Sequence, residues 1–151
     1  MGELYDADVL EWSEHQARLL RQHAAGKLAG STASQPGNEA PDWANIIEEI
    51  ESVGRSQLNA VRSLLRQALI HDLKCKAWPL VFYVPHWKAE ALRFRADAAD
   101  AFSPSIRQHI DVAQLYTSAV RLLPESIDGQ PPLPVPDTCL ATLDELLSNE
   151  A

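Results

Sequence analysis

The chain has 151 residues, of which 46% are apolar and 23% charged, and its formal net charge is −8 at pH 7. That length is one ordinary domain with a core of its own, and that composition excludes a wholly disordered chain. The acidic balance argues against a general nucleic-acid binder and for a soluble, self-repelling surface. No apolar run approaches the ~20 residues that span a bilayer. The first residues, Met-Gly-Glu-Leu-Tyr-Asp, are acidic and lack the apolar stretch of a secretory leader. Asp6 stands where a myristoylation motif wants Ser or Thr. The expectation is a cytoplasmic protein, without a membrane partner and without a cofactor.

A first helix is expected over Asp8 to Ala25, because Val9, Trp12, Gln16, Leu19, Leu20 and His23 follow helical spacing. Asp6 and Asp8 stand where an N-cap belongs, and Gly26 offers a stop. Residues 26–41, "GKLAGSTASQPGNEAP", lack apolar periodicity and read as a flexible loop insertion. Asp42 then caps a long helix over 42–76. With Ile46 at 0° and about 100° per residue, Trp43, Ile50, Val53, Gln57, Val61, Leu64 and Ala68 form one stripe, which Ile47, Leu58, Leu65 and Leu69 widen to about 140°. Gly54 lies within that stripe at about 80°, and it costs roughly 1 kcal/mol relative to Ala in a helix interior. Close approach by another helix is the expected compensation. A break there is the alternative.

The same helix carries Glu48, Glu49 and Glu51. They point in different directions, so they make a poor acid–base pair. Glu51 is expected to pair with Arg55 at i+4. Gln57, His71 and Asp72 fall on the stripe and need partners there. For His71 the expectation is a mostly buried, structural imidazole, bonded from another helix or from the 78–87 connection. Glu51 and His71 stand about 30 Å apart on a straight helix, too far to share a metal.

"KCKAWPLVFYVPHWK", Lys74 to Lys88, mixes aromatics with lysines and is bounded within by Pro79 and Pro85. Such a stretch can stack single-stranded nucleic acid. The plainer reading is a connection whose aromatics plug one end of a bundle. Cys75 and Cys139 read as reduced thiols. A reactive Cys75 between Lys74 and Lys76 is the sharper alternative. A third helix is expected over Pro85 to Phe102, with Trp87, Ala91, Phe94 and Ala98 on one side. A fourth is expected from the Ser103 cap and Pro104 to Leu123. Pro124 to Pro136 reads as an extended arm, and Asp137 to Leu147 as a short last helix. The fold class is therefore all-α: a single helical bundle of four to five helices, with one long central helix and a proline-rich C-terminal arm.

Charge is segregated along the chain. Residues 1–51 carry −7, residues 52–96 carry +6 and residues 97–151 carry −7. The basic middle either packs against the acidic ends or offers a face to an anionic partner, and the first reading is preferred. No P-loop, dinucleotide fingerprint, zinc-protease or nucleophile-elbow motif occurs.

"YDADVLEWSEHQARLLR", "IIEEIESVGRSQ", "LIHDLK" followed by Pro79, Trp87, "SPSIRQHI" and "PDTCLATLDELL" together resemble a bacterial family, domain of unknown function number twenty-nine. The resemblance implies an all-α fold and carries no activity with it. Glu48, Glu49, Glu51, Gly54, Arg55 and His71 match the family pattern by position. With Trp87 they are the candidate functional residues. The family has a shorter connection after the first helix, an aromatic at the place of Cys75 and an apolar residue at that of Asp72. The leading functional reading is a protein-interaction module, possibly a homodimer. The alternatives are a metal-binding or hydrolytic bundle using carboxylates and His71, and a single-strand nucleic-acid binder through residues 55–95.

Overall fold

Six α-helices account for most of the computed structural model, which describes residues 2–30 and 40–148, with side chains except at 27–30. They are α1 (Gly2–Ala7), α2 (Val9–Gly30), α3 (Trp43–Ala77), α4 (Val84–Ala101), α5 (Val112–Arg121) and α6 (Leu143–Leu147), with a 3-10 helix over Pro104–His109. The fold is all-α. No helix among the described residues is long and apolar enough to cross a membrane. Contacts divide the chain into two compact units. One takes in the described residues up to Leu58 with Ser103–Arg107, and the other Asn59–Phe102 with the described residues from Gln108 on.

In the N-terminal unit, helix begins earlier and ends later than expected. Asp8 separates α1 from α2, donating its N–H to the Leu4 carbonyl at 2.8 Å and accepting from the Trp12 N–H at 2.9 Å. The Asp8 carboxylate accepts the Glu11 N–H at 3.0 Å, so it caps α2 as its position suggested. Gly26 does not stop the helix, which continues to Gly30. Glycine permits an end without imposing one. Of the expected 26–41 loop, residues 31–39 lie outside the described residues.

Helix α3 is continuous through Gly54. A Cβ at Gly54 would collide with the Ser13 Oγ, and would lie 2.8 Å from Leu10 Cδ1 and 3.1 Å from Leu10 Cα. Helix α2 therefore approaches α3 closely where α3 has no side chain. This contact selects one flank of the expected stripe. Ile47, Gly54, Leu58, Val61 and Leu65 are buried, while Ile46 is 38% and Val53 42% exposed. Within the first unit, the buried face of α3 lies on the side of Gly54 rather than on that of Ile46, where α2 comes closest.

In the second unit, the later part of α3 contributes Val61, Leu65, Ala68, Leu69 and Leu73 to the core. Trp87, Ala91 and Ala98 of α4 are buried as spaced. The expected helix from Ser103 to Leu123 is two pieces. Asp111 is extended and accepts the Gln114 N–H at 3.1 Å, starting α5 afresh. The Arg62 guanidinium donates to the His109 carbonyl at 2.8 Å, satisfying a group that the break leaves open. The last helix is also shorter than expected. Thr142 caps it by accepting the Glu145 N–H at 3.2 Å, and Leu140 stays 75% exposed.

The proline-rich arm opens with a turn missed from sequence. Asp128 and Gly129 both have positive φ, 50° and 73°, and Ile127 and Gln130 exchange two backbone hydrogen bonds across them. Asp-Gly is the ordinary sequence for a turn with two left-handed residues. Beyond it the Leu133 N–H donates to the Ala77 carbonyl at 2.9 Å. The Tyr116 hydroxyl donates to the Pro136 carbonyl.

Candidate functional site

The residues singled out from sequence fall in separate places. Arg55 pairs with Glu48 at 2.5 Å, not with Glu51. Seven residues make about −20° of helix rotation, so these two share a face two turns apart. Glu51 pairs instead with Arg21 of α2. Glu49 is exposed, and its carbonyl accepts the Ser52 hydroxyl at 2.7 Å. Gly54 is a packing position. His71 is only half-buried, and its Nδ1–H donates to the Gln67 carbonyl of its own helix at 2.7 Å. Among the described residues, the expected bond from another element is not made. The imidazole lies 5.3 Å from the Phe94 ring of α4. Asp72 finds a partner in Arg95 of α4. No three His, Cys, Asp or Glu side chains among the described residues are placed to hold a metal ion. The carboxylate–histidine site is therefore not assembled by these residues.

The Lys74–Lys88 stretch contains a more distinctive arrangement. It is a tight hairpin between α3 and α4. Its turn is built from short-range bonds, Val81 N–H to Trp78 carbonyl at 3.3 Å and Val84 N–H to Val81 carbonyl at 3.2 Å. Pro79 and Pro85 keep either helix from running through. Trp78 and Trp87 are buried with Ala77, and Cys75, Val81, Val84, Leu123, Ile127 and Val135 pack on them. The Trp78 indole N–H donates to the Gln130 carbonyl at 2.9 Å, which ties the hairpin to the arm. These two tryptophans are buried at the base of the hairpin, as the plainer reading of their burial expected. Leu80 and Phe82 do the opposite, standing 98% and 90% exposed at the tip. Rings step outward from the core, Trp87 to Tyr83 at 6.2 Å and Tyr83 to Phe82 at 5.9 Å. Lys74 lies over the Trp87 ring, its Nζ 5.8 Å from the centroid, and Lys76 and Lys88 are exposed nearby in the chain.

Beside α3 and α4 lies a cleft of about 530 Å³ whose lining includes Asp72, Cys75, Lys88, Arg95, Tyr116 and Cys139. Both cysteines are free thiols. Burial pushes the Cys75 thiol up, the Asp72 charge pushes it further, and Lys88 offsets only part. That direction is opposite to the one expected of a thiol activated by Lys74 and Lys76. Burial also pushes the Tyr116 phenol up, with the charges of Cys139 and Asp137 adding to it.

The family model described as domain of unknown function DUF29 matches residues 4–151, nearly the whole chain. The chain is a DUF29 protein. Its fold is similar to the crystal structure of an alpha-helical protein of unknown function from Rhodospirillum rubrum. The TM-score is 0.72 at 22% identity, over 95% of the DUF29 chain and 88% of the other. At that identity the likeness speaks for the fold alone. No curated protein matches the chain. DUF29 membership thus agrees with the resemblance read from the sequence and brings no activity with it.

Proposed function

We propose that this DUF29 chain is a protein-binding module that docks an acidic partner on the tip of the α3–α4 hairpin. One observation carries the reading: Leu80 and Phe82 are almost wholly exposed on a turn whose two flanking tryptophans are buried. A flexible loop would pay the entropy of ordering when it binds, whereas this turn is already fixed by its tryptophans. Aromatic anchors surrounded by polar groups are the usual energetic centre of protein interfaces. Lys74, Lys76 and Lys88 give the tip's surroundings a positive sign, which favours an acidic partner surface and speeds encounter. The two free thiols fit a cytoplasmic setting.

The test uses a photo-crosslinking residue at position 82 of the full chain, with a second probe at exposed Asp97 as the control. One dominant protein should crosslink at 82 and not at 97. After purification it should bind the chain directly, and Leu80→Ser should abolish that binding without lowering thermal stability. Binding should weaken with salt. Equal labelling at both positions, or binding that survives Leu80→Ser, overturns the proposal. Concentration-dependent dimerisation lost in Phe82→Ser would identify a second copy as the occupant instead. Sedimentation with anionic vesicles that needs Phe82 would identify a lipid surface.

A further inference from the structure

A second concave surface in the same unit has a different chemistry. It is an open groove of about 740 Å³ along α3 and α5, lined by Arg62, Arg66, Asp111, Gln114, Ser118 and Arg121 among others. On α5, Gln114, Ser118 and Arg121 recur at four- and three-residue spacing and so form one polar stripe. Arg62 and Arg66 are one turn apart on α3. Three guanidinium groups therefore line the groove against one carboxylate.

That carboxylate is already engaged, since Asp111 accepts the Gln114 N–H as the cap of α5. None of the ion pairs among the described residues takes in Arg62, Arg66 or Arg121. Arg62 directs one N–H to the His109 carbonyl. The Nε of Arg66 is enclosed, and among the described residues no atom accepts its N–H. Arg66 as a whole is only half-buried, so its terminal N–H groups, which no ion pair among the described residues engages, are left for a charged acceptor from outside. We infer that this groove binds a phosphoryl group, held by Arg66 and Arg121 with neutral donors from Gln114 and Ser118.

The planar guanidinium matches two phosphate oxygens at once, which a lysine cannot do. The ligand is a small phosphorylated molecule rather than a nucleic-acid strand. The chain carries −8 overall, and a long polyanion would meet that repulsion along its length. A small dianion is shielded from distant charge beyond about 8 Å at physiological salt. This site is independent of the hairpin tip.

The probe is inorganic pyrophosphate, titrated calorimetrically into the full-length chain at low salt. The inference expects one saturable site. Arg66→Gln and Arg121→Gln should each weaken it by about tenfold or more, since each removes a charge-assisted contact. Lys88→Gln, outside the groove, should leave it unchanged. Arg121 is exposed, so its variant keeps the test meaningful if Arg66→Gln proves less stable in thermal unfolding. No binding at millimolar pyrophosphate, or equal binding by both arginine variants, overturns the inference. Tighter binding of a short single-stranded RNA than of pyrophosphate, abolished by the same variants, overturns the small-ligand assignment.

Discussion

The Asp8 carboxylate takes four hydrogen bonds: from the Glu11 N–H at 3.0 Å, the Ser105 N–H at 2.8 Å, the Ser105 hydroxyl at 2.6 Å and the Ser103 hydroxyl at 3.1 Å. Burial alone would raise its pKa, but these donors outweigh burial and hold it below the usual carboxylate range. A lowered folded pKa stabilises the protein above the unfolded value of about 4, and the effect is lost as pH falls through the folded value. Asp8→Asn places an amide N–H₂ against the Glu11 or the Ser105 backbone N–H, which cannot turn round as the two serine hydroxyls can. It should cost roughly 1–3 kcal/mol at pH 7, measured by urea unfolding. Below about pH 4 the gap between the two proteins should narrow, because the parent loses what the variant never had. A gap that stays constant down to pH 3 would mean that the charge of Asp8 contributes nothing. From sequence Asp8 was legible as a helix cap, since the cap lies three residues away. Its serine partners, 95 and 97 residues away, were not legible, because no local pattern carries a tertiary contact. His71 failed for the opposite reason: its own helix supplied the acceptor that was sought elsewhere.

Helix α3 was the most legible element, because apolar residues that keep helical phase over 35 residues cannot share one face of a strand. Gly54 was correctly tied to close approach, and the flank of the stripe that holds Ile47, Leu58, Leu65 and Leu69 is buried, whereas Ile46 and Val53 on the other flank are exposed. Hydrophobicity marks which residues can be buried, while the neighbouring backbone decides which are. A Gly54→Ala variant tests the contact. Alanine would favour the helix by about 1 kcal/mol. Its Cβ would nevertheless press on the Ser13 hydroxyl, which is buried and already donates to the Leu10 carbonyl at 2.8 Å, and on the Leu10 backbone. A net loss of roughly 1–3 kcal/mol in chemical denaturation is expected. A more stable variant would mean that α2 yields at no cost. Other elements were misread where short capping signals competed with longer apolar spacing. Asp111 and Thr142 both cap helices that the leucine and isoleucine spacing had begun too early. The hairpin tip was misread because composition shows that Phe82 is aromatic but not that it faces water.

At the scale of the whole chain, the +6 carried by residues 52–96 does not act as one basic surface. Arg55, Arg93 and Arg95 pair with Glu48, Glu90 and Asp72, and Arg62 donates to a backbone carbonyl. Exposed pairs such as the first two add little stability, but they do leave less free charge for a polyanion. What remains falls in two separate places, the lysines of the Lys74–Lys88 hairpin and the groove where Arg62 and Arg66 are joined by Arg121. Each phosphate neutralised on a single strand contributes about −0.7 to the slope of log K against log salt. Three arginines therefore permit a slope of about −2 at most, and the acidic remainder of the chain opposes even that. Filter binding to a single-stranded RNA at low salt should give no submicromolar affinity. Arg66→Gln and Arg121→Gln together should remove whatever weak retention is seen. Submicromolar binding with a slope steeper than about −3 would require cations beyond the groove, and the Lys74–Lys88 hairpin would be the next place to look for them.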